Sequence, residues 1–256
     1  MFSTPSQPTR SFSSLVTFGI PQLDQSLGGG IERGSVFVIE DTLAADAQPF
    51  VSQFLVQGLK TTDYVYVMNT DLPYEYYEEN FKRLGVNPDM HVRTGRLKFV
   101  DAFSNPYGYE AKIAEYSEPL RDISSSRDAN EAIRRAMLHT RGQNIGVRGA
   151  VLTMSSIIHA AESIRHVFSF VRQRLAADHY EKWVSLLLIH ADAHDPMLIR
   201  SIEHLVDGVL RVSQTKRETG EQVIMAEVVH VRGKPELTGN TTYYTVNGGI
   251  LSPYNQ

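Results

Sequence analysis

The sequence contains no cysteine, which excludes disulfide staples, thiolate metal sites and a cysteine nucleophile, and fits a reducing compartment. It has no apolar stretch of the length a membrane span requires, and residues 1–14 lack the apolar core of a signal peptide. A cytoplasmic protein with no membrane partner is therefore expected. Positive charge is not in excess either: a formal net charge of −4 and a pI near 6.1 exclude coating of nucleic acid by bulk charge and leave room only for a local basic patch. What is present is a chain of 256 residues, enough for one large α/β domain whose core needs no cross-link. Residues 1–14, rich in Ser, Thr and Pro and free of acids, read as a disordered tail, and residues 253–256 as a second short one.

The stretch 35–55, SVFVIEDTLAADAQPFVSQFL, organises the rest. Val36 to Ile39 form an apolar run that reads as a buried strand, and Phe50, Phe54 and Leu55 recur at helical spacing after Pro49, a residue favoured in a first helical turn. The loop between them spans Glu40 to Gln48. Laid against the phosphate-loop pattern G-x-x-x-x-G-K-[ST], its glycine positions fall on Asp41 and Asp46, its lysine on Ala47 and its hydroxyl residue on Gln48. Glycine lets backbone N–H groups curl round phosphates, lysine neutralises them and the hydroxyl ligates magnesium; all three are gone. Two carboxylates at a helix start also put negative charge where an anion would otherwise sit. The loop thus reads as filled by its own side chains, although spacing alone also fits an ordinary strand, loop and helix.

The flank supplies the context. Residues 17–35, TFGIPQLDQSLGGGIERGS, place Ile20, Leu23 and Leu27 on a short helical face that ends in three glycines and turns into the strand. This ordered run resembles the opening segment of the KaiC-like branch of the RecA superfamily. The segments DAFS (101–104) and LVDGVLRV (205–212) are similar to archaeal-type relatives of that branch.

The resemblance implies one domain over residues 15–252 with an α/β, RecA-like (KaiC-type) P-loop NTPase fold. It would have a mainly parallel twisted central sheet, helices on both faces and an antiparallel edge hairpin. It also implies that residues 41–48 are a degenerate Walker A loop. The family's pair of catalytic carboxylates falls on Thr70 and Asp71, and its Walker B aspartate on Thr153. A threonine serves neither as the base that polarises water nor as a charged anchor for magnesium. A Lys-x-Arg pair, which in active relatives reaches a neighbour's nucleotide, aligns with His230 and Arg232 as possible interface residues.

Three further features invite a function. Tyr74, Tyr76 and Tyr77 on one helix read either as base-stacking rings or as tyrosines packed on a sheet. Arg134, Arg135, Arg141 and Arg148 make the most basic stretch, either a nucleic-acid contact or a solvated face paired with acids. HADAHD (190–195) has the residue types of a metal site, yet Asp195 before Pro196 also makes a helix N-cap, and no metal or other cofactor is assigned.

The joint replacements at Ala47, Thr70 and Thr153 predict a non-catalytic, pseudo-ATPase KaiC/RecA-like protein. It is expected to act as a regulatory or scaffold module in signalling through protein partners, in a homo- or hetero-oligomer with RecA-like subunits. The alternative is an RNA-binding ring, because the accessory RecA-like subunits of Elongator are similar in carrying an acid-bearing loop without a Walker lysine and engage tRNA. Residual ATP binding or hydrolysis is the third reading.

Overall fold

The computed structural model describes residues 14–109, 112–141, 143, 145–217 and 220–254. The first tail, but for Ser14, and residues 255–256 of the second lie outside the described residues. The chain opens with β1 (Leu15–Val16), α1 (Pro21–Ser26) and β2 (Ile31–Glu32), the two strands pairing antiparallel. Asp24 fixes the approach to α1, its carboxylate accepting from the N–H groups of Phe18 at 2.6 Å and Gly19 at 3.1 Å. Gly30 has φ +133°, and a Cβ there would stand 2.6 Å from the Val16 carbonyl, so only glycine lets β2 close on β1.

Next come β3 (Ser35–Asp41), α2 (Gln48–Lys60), β4 (Tyr64–Asn69), α3 (Tyr74–Arg83), α4 (Pro88–Arg93), β5 (Leu97–Asp101) and β6 (Glu118–Pro119). The second half holds α5 (Ser126–Ala136), β7 (Val147–Leu152), α6 (Met154–Ala160), α7 (Ile164–Glu181), β8 (Val184–His190) and α8 (Pro196–Glu203). It closes with β9 (Gly208–Lys216), β10 (Gln222–Val231), β11 (Thr241–Asn247) and β12 (Ile250–Pro253). β12 carries the domain one residue beyond the expected boundary at 252.

Ten strands form one sheet in the order β12-β11-β10-β9-β3-β8-β7-β4-β5-β6. From β9 to β6 every neighbouring pair is parallel. From β9 to β12 every pair is antiparallel, so the expected edge hairpin is a longer meander. β3 lies inside the sheet and is buried on both faces, as its unbroken apolar run requires. Phe37 and Ile39 pack with Phe50, Phe54 and Leu55 of α2 on one face, while Val36 and Val38 join Phe170 and Val171 of α7 on the other. Each such fully buried side chain contributes about 1.5–3 kcal/mol relative to exposure. Gly149 on β7 makes room for the Tyr66 ring of β4, since a Cβ there would come within 2.2 Å of it.

Tyr74 and Tyr77 are packing residues, set against Phe99 with centroids 5.0 and 6.0 Å away, and the Tyr74 hydroxyl donates to Asp89 at 2.7 Å. No helix among the described residues is long and apolar enough to cross a membrane.

Candidate functional site

In a parallel sheet the residues just past the carboxyl ends of the strands converge on one crevice. Here that crevice collects Asp41 from β3, Thr70 and Asp71 from β4, Thr153 from β7 and His190 from β8.

The strand β3 runs two residues past its apolar core, because Glu40 and Asp41 find ladder partners in Ile189 and His190 of β8. Asp41 is therefore a buried strand residue, and the loop is 42–47. α2 starts without a side-chain cap from Ala47. Its orphan N–H groups are taken instead by carboxylates: Asp41 Oδ2 accepts from the Ala47 N–H at 3.0 Å and Asp46 Oδ1 from the Gln48 N–H at 2.8 Å. A third carboxylate, from Asp192 beyond β8, accepts from the Leu43 N–H at 2.9 Å. Thus three backbone donors of the loop and helix start, the groups a phosphate loop aims at its anion, are occupied by the chain's own acids.

The other oxygen of Asp41 meets His190 Nδ1 at 2.5 Å. That contact raises the His190 pKa above its ordinary value, against the opposing effect of burial. Burial also raises the Asp46 carboxyl, with the Asp41 charge adding to it.

Beside the loop, Thr70 and Thr153 bind one another twice: the Thr70 hydroxyl donates to the Thr153 carbonyl at 3.1 Å and accepts from the Thr153 N–H. The Leu152–Thr153 peptide is cis. Asp71 Oδ2 accepts from the Thr153 hydroxyl at 2.6 Å, and its other oxygen accepts from Ser156. Asp71, the acid remaining at the catalytic-pair position, is thus tied to the Walker B position by the Thr153 hydroxyl and to the first turn of α6 by that of Ser156.

The HADAHD side chains diverge. His190 goes to Asp41, Asp192 to the Leu43 N–H and His194 Nε2 to Ser155 Oγ at 2.8 Å, while Asp195 caps α8 through the Met197 N–H at 2.7 Å. Among the described residues no three His, Asp or Glu side chains are grouped to hold a metal ion.

The basic stretch divides. Arg134, Arg135 and Arg141 are exposed and pair with Glu131, Glu118 and Glu181. Arg148 has to be withdrawn as a nucleic-acid contact. Its side chain is 3% exposed, makes a two-pronged pair with Asp63 at 2.6 and 2.8 Å, and donates to the Thr17 and Phe54 carbonyls.

His230 and Arg232 lie at the far end of the sheet from the loop of their own chain, where Val231 pairs with Gly208. Arg232 contacts Asp207 at 3.1 Å and the carbonyls of Leu205 and Val206, with its guanidinium half exposed.

Sequence reasoning did not single out Glu40, Ser156 or the contacts of His190 and Asp192. A usable signal existed for two of them, since both follow an apolar strand directly and so must lie at the crevice. Glu40 is 1% exposed and pairs with Arg211, which also holds Glu203. Burial, with the Glu203 carboxylate adding to it, pushes its pKa up to about 7.

The family model described as "ATPase: KaiC" matches residues 16–251. A UPF0273 protein of Thermotoga maritima is 26% identical over 198 residues, 77% of this chain and 78% of that protein. The UPF0273 protein MJ1359 of Methanocaldococcus jannaschii is 23% identical over 92% of this chain and 95% of its own length. The circadian clock protein KaiC3 of Synechocystis is 28% identical over 47% of this chain, but that match spans only 26% of KaiC3. Among solved structures, the uncharacterised protein PH0321 of Pyrococcus horikoshii, crystallised in complex with an unknown peptide, superposes with a TM-score of 0.73 at 16% identity. It covers 94% of this chain and 99% of its own. With the RecA-like sheet order and the match over nearly its whole length, the chain belongs to the KaiC family.

Proposed function

We propose that this chain is a non-catalytic KaiC-family module, acting in an oligomer as a regulatory or scaffold protein through protein partners. The observation that carries this reading is the self-occupied loop, in which Asp41, Asp46 and Asp192 take the N–H groups of Ala47, Gln48 and Leu43. A nucleoside triphosphate would have to displace three carboxylates, that of Asp41 buried, at a loop with no lysine to offset its charge, and each displaced bond leaves a polar group unmatched. Thr70 and Thr153 bind each other and carry no carboxylate for water or magnesium, which supports the same reading.

A peptide segment is the partner class we favour, because the fold-related Pyrococcus protein was crystallised with a peptide. The RNA-binding reading is weaker: Arg134, Arg135 and Arg141 are each offset by a glutamate, and Arg148 is interior.

Isothermal titration with ATP and magnesium at millimolar nucleotide tests the proposal. No heat and no released phosphate are expected, and clear turnover overturns it. Mass-resolved sizing should give a species heavier than one chain, with the same mass whether or not ATP is added.

A further inference from the structure

On the face of the sheet opposite α2, a groove of about 500 Å3 opens between α5 and the last turns of α7. It lies by Trp183, just before the first residue of β8, and so at the end of the sheet away from the converted loop. Its size is in the range of small-molecule sites.

The charges in and around the groove do not cancel. Arg134 pairs with Glu131, Arg141 with Glu181 and Arg174 with Asp178. Arg127, an exposed residue on α5 that also lines the groove, has no hydrogen-bond or ion-pair partner among the described residues; its charge acts on Glu131, which Arg134 already pairs. One guanidinium is therefore left for an anion, and its planar fork suits carboxylate or phosphate.

Two lining groups are unspent. Arg174 is 1% exposed and directs Nε and Nη2 to Asp178, which leaves the buried Nη1 without an acceptor. Asn130 spends its amide N–H groups on the carbonyls of Ser126 and Phe170, which leaves the buried Oδ1 without a donor. Buried polar groups left unmatched cost about 1–3 kcal/mol each, so this donor and this acceptor would gain from a ligand that met them.

Two rings complete the lining. Trp183 is nearly buried, while Tyr180 is 83% exposed, its ring set edge-on to His179 with centroids 5.4 Å apart.

We propose that this groove binds a small anion with a planar, hydrogen-bonding body, the chemical class of a nucleoside monophosphate. Arg127 takes the anionic group, Arg174 Nη1 and Asn130 Oδ1 read an acceptor and a donor on the planar edge, and the Tyr180 ring covers its face. The site is independent of the converted loop, so it stands or falls separately from the reading given above.

Trp183 is the only tryptophan in the chain, so its fluorescence reports from the wall of this groove. The full chain is titrated separately with AMP, GMP and inorganic phosphate. A saturable change with at least one nucleoside monophosphate and none with phosphate is expected. Arg127→Gln, at the exposed rim, should weaken it about tenfold through loss of the charge-assisted contact. Ala177→Phe, which fills the groove from α7, should abolish it. No saturable change in the unaltered chain, an equal response to inorganic phosphate, or an affinity unaltered by Arg127→Gln overturns the proposal. The Arg127 variant keeps the test decisive should the Ala177 variant not fold.

Discussion

The two ends of the parallel strands use charge in opposite ways. At the carboxyl ends, Asp41, Asp46, Asp71, Asp101 and Asp192 hold mostly neutral donors: backbone N–H groups, threonine and serine hydroxyls, with His190 the one ionisable partner of these five among the described residues, while Glu40 departs from the pattern by facing the Arg211 guanidinium. At the amino ends, acids face guanidinium groups instead, in the Arg33–Asp63–Arg148 and Arg174–Asp178 clusters and in Arg232–Asp207. The first end is rich in negative charge with its donors spent. The second is an electrostatic clamp under the sheet. The difference separates what this chain would need for nucleotide chemistry from what it needs to fold.

The largest expected effect breaks the clamp. Arg148→Ala leaves Asp63 with only Arg33 as its charged partner among the described residues and removes two donors from the Thr17 and Phe54 carbonyls, so unfolding stability should fall by about 3–5 kcal/mol. Denaturant titration measures it, and a loss of under about 1 kcal/mol would contradict the structural role given to this arginine.

Next is a pH effect at the carboxyl ends. Glu40 is raised from its ordinary 4.5 to about 7, so the folded chain holds a proton that the unfolded chain has released across that interval. Its contribution to stability is complete below 4.5 and is lost as pH rises through about 7. Glu40→Gln, which mimics the protonated acid, should flatten that fall in a series of denaturant midpoints. An unchanged slope would remove Glu40 as its source.

Smaller again is the loop. Asp41→Ala strands the Ala47 N–H and the His190 ring, for an expected loss of about 1–3 kcal/mol. If the self-occupied loop is what excludes nucleotide, the same variant should show more heat with ATP than the unaltered chain; silence in both would mean that the missing lysine suffices. The smallest change is on the outer face, where Arg134→Gln should alter stability by less than about 0.5 kcal/mol, because its pair with Glu131 is exposed and screened. Filter binding of RNA at two salt concentrations should likewise detect no difference.

The sequence shows the sheet and its helices well because apolar periodicity is local. The pattern 36–39 marks β3, the spacing of Phe50, Phe54 and Leu55 marks α2, and Asp195 before Pro196 marks the start of α8, all as found. What it hides is partnership across the fold. Arg148 reads as one of a basic cluster because its acid, Asp63, is 85 residues away. The end of β3 reads as loop because Glu40 and Asp41 are acids; only the parallel ladder to β8 and the salt bridge to Arg211 explain why the strand continues through them. α7 likewise runs to Glu181 with a charged residue in its buried face, Asp178 being kept inside the helix by its ion pair to Arg174 one turn before. The replaced positions at the crevice were legible one by one, whereas the bonds that now join them were not.

Asp41 has a consequence for concentration. A carboxylate built into β3 and seated on the N–H of Ala47 is a competitor that is never diluted. Any free anion must outbid a tethered one, and tethering over a short span is equivalent to roughly millimolar or higher local ligand. On the reading proposed above, metabolite levels in solution do not set the state of this loop. Its occupancy is written into the chain, and it changes only when the backbone between β3 and α2 moves.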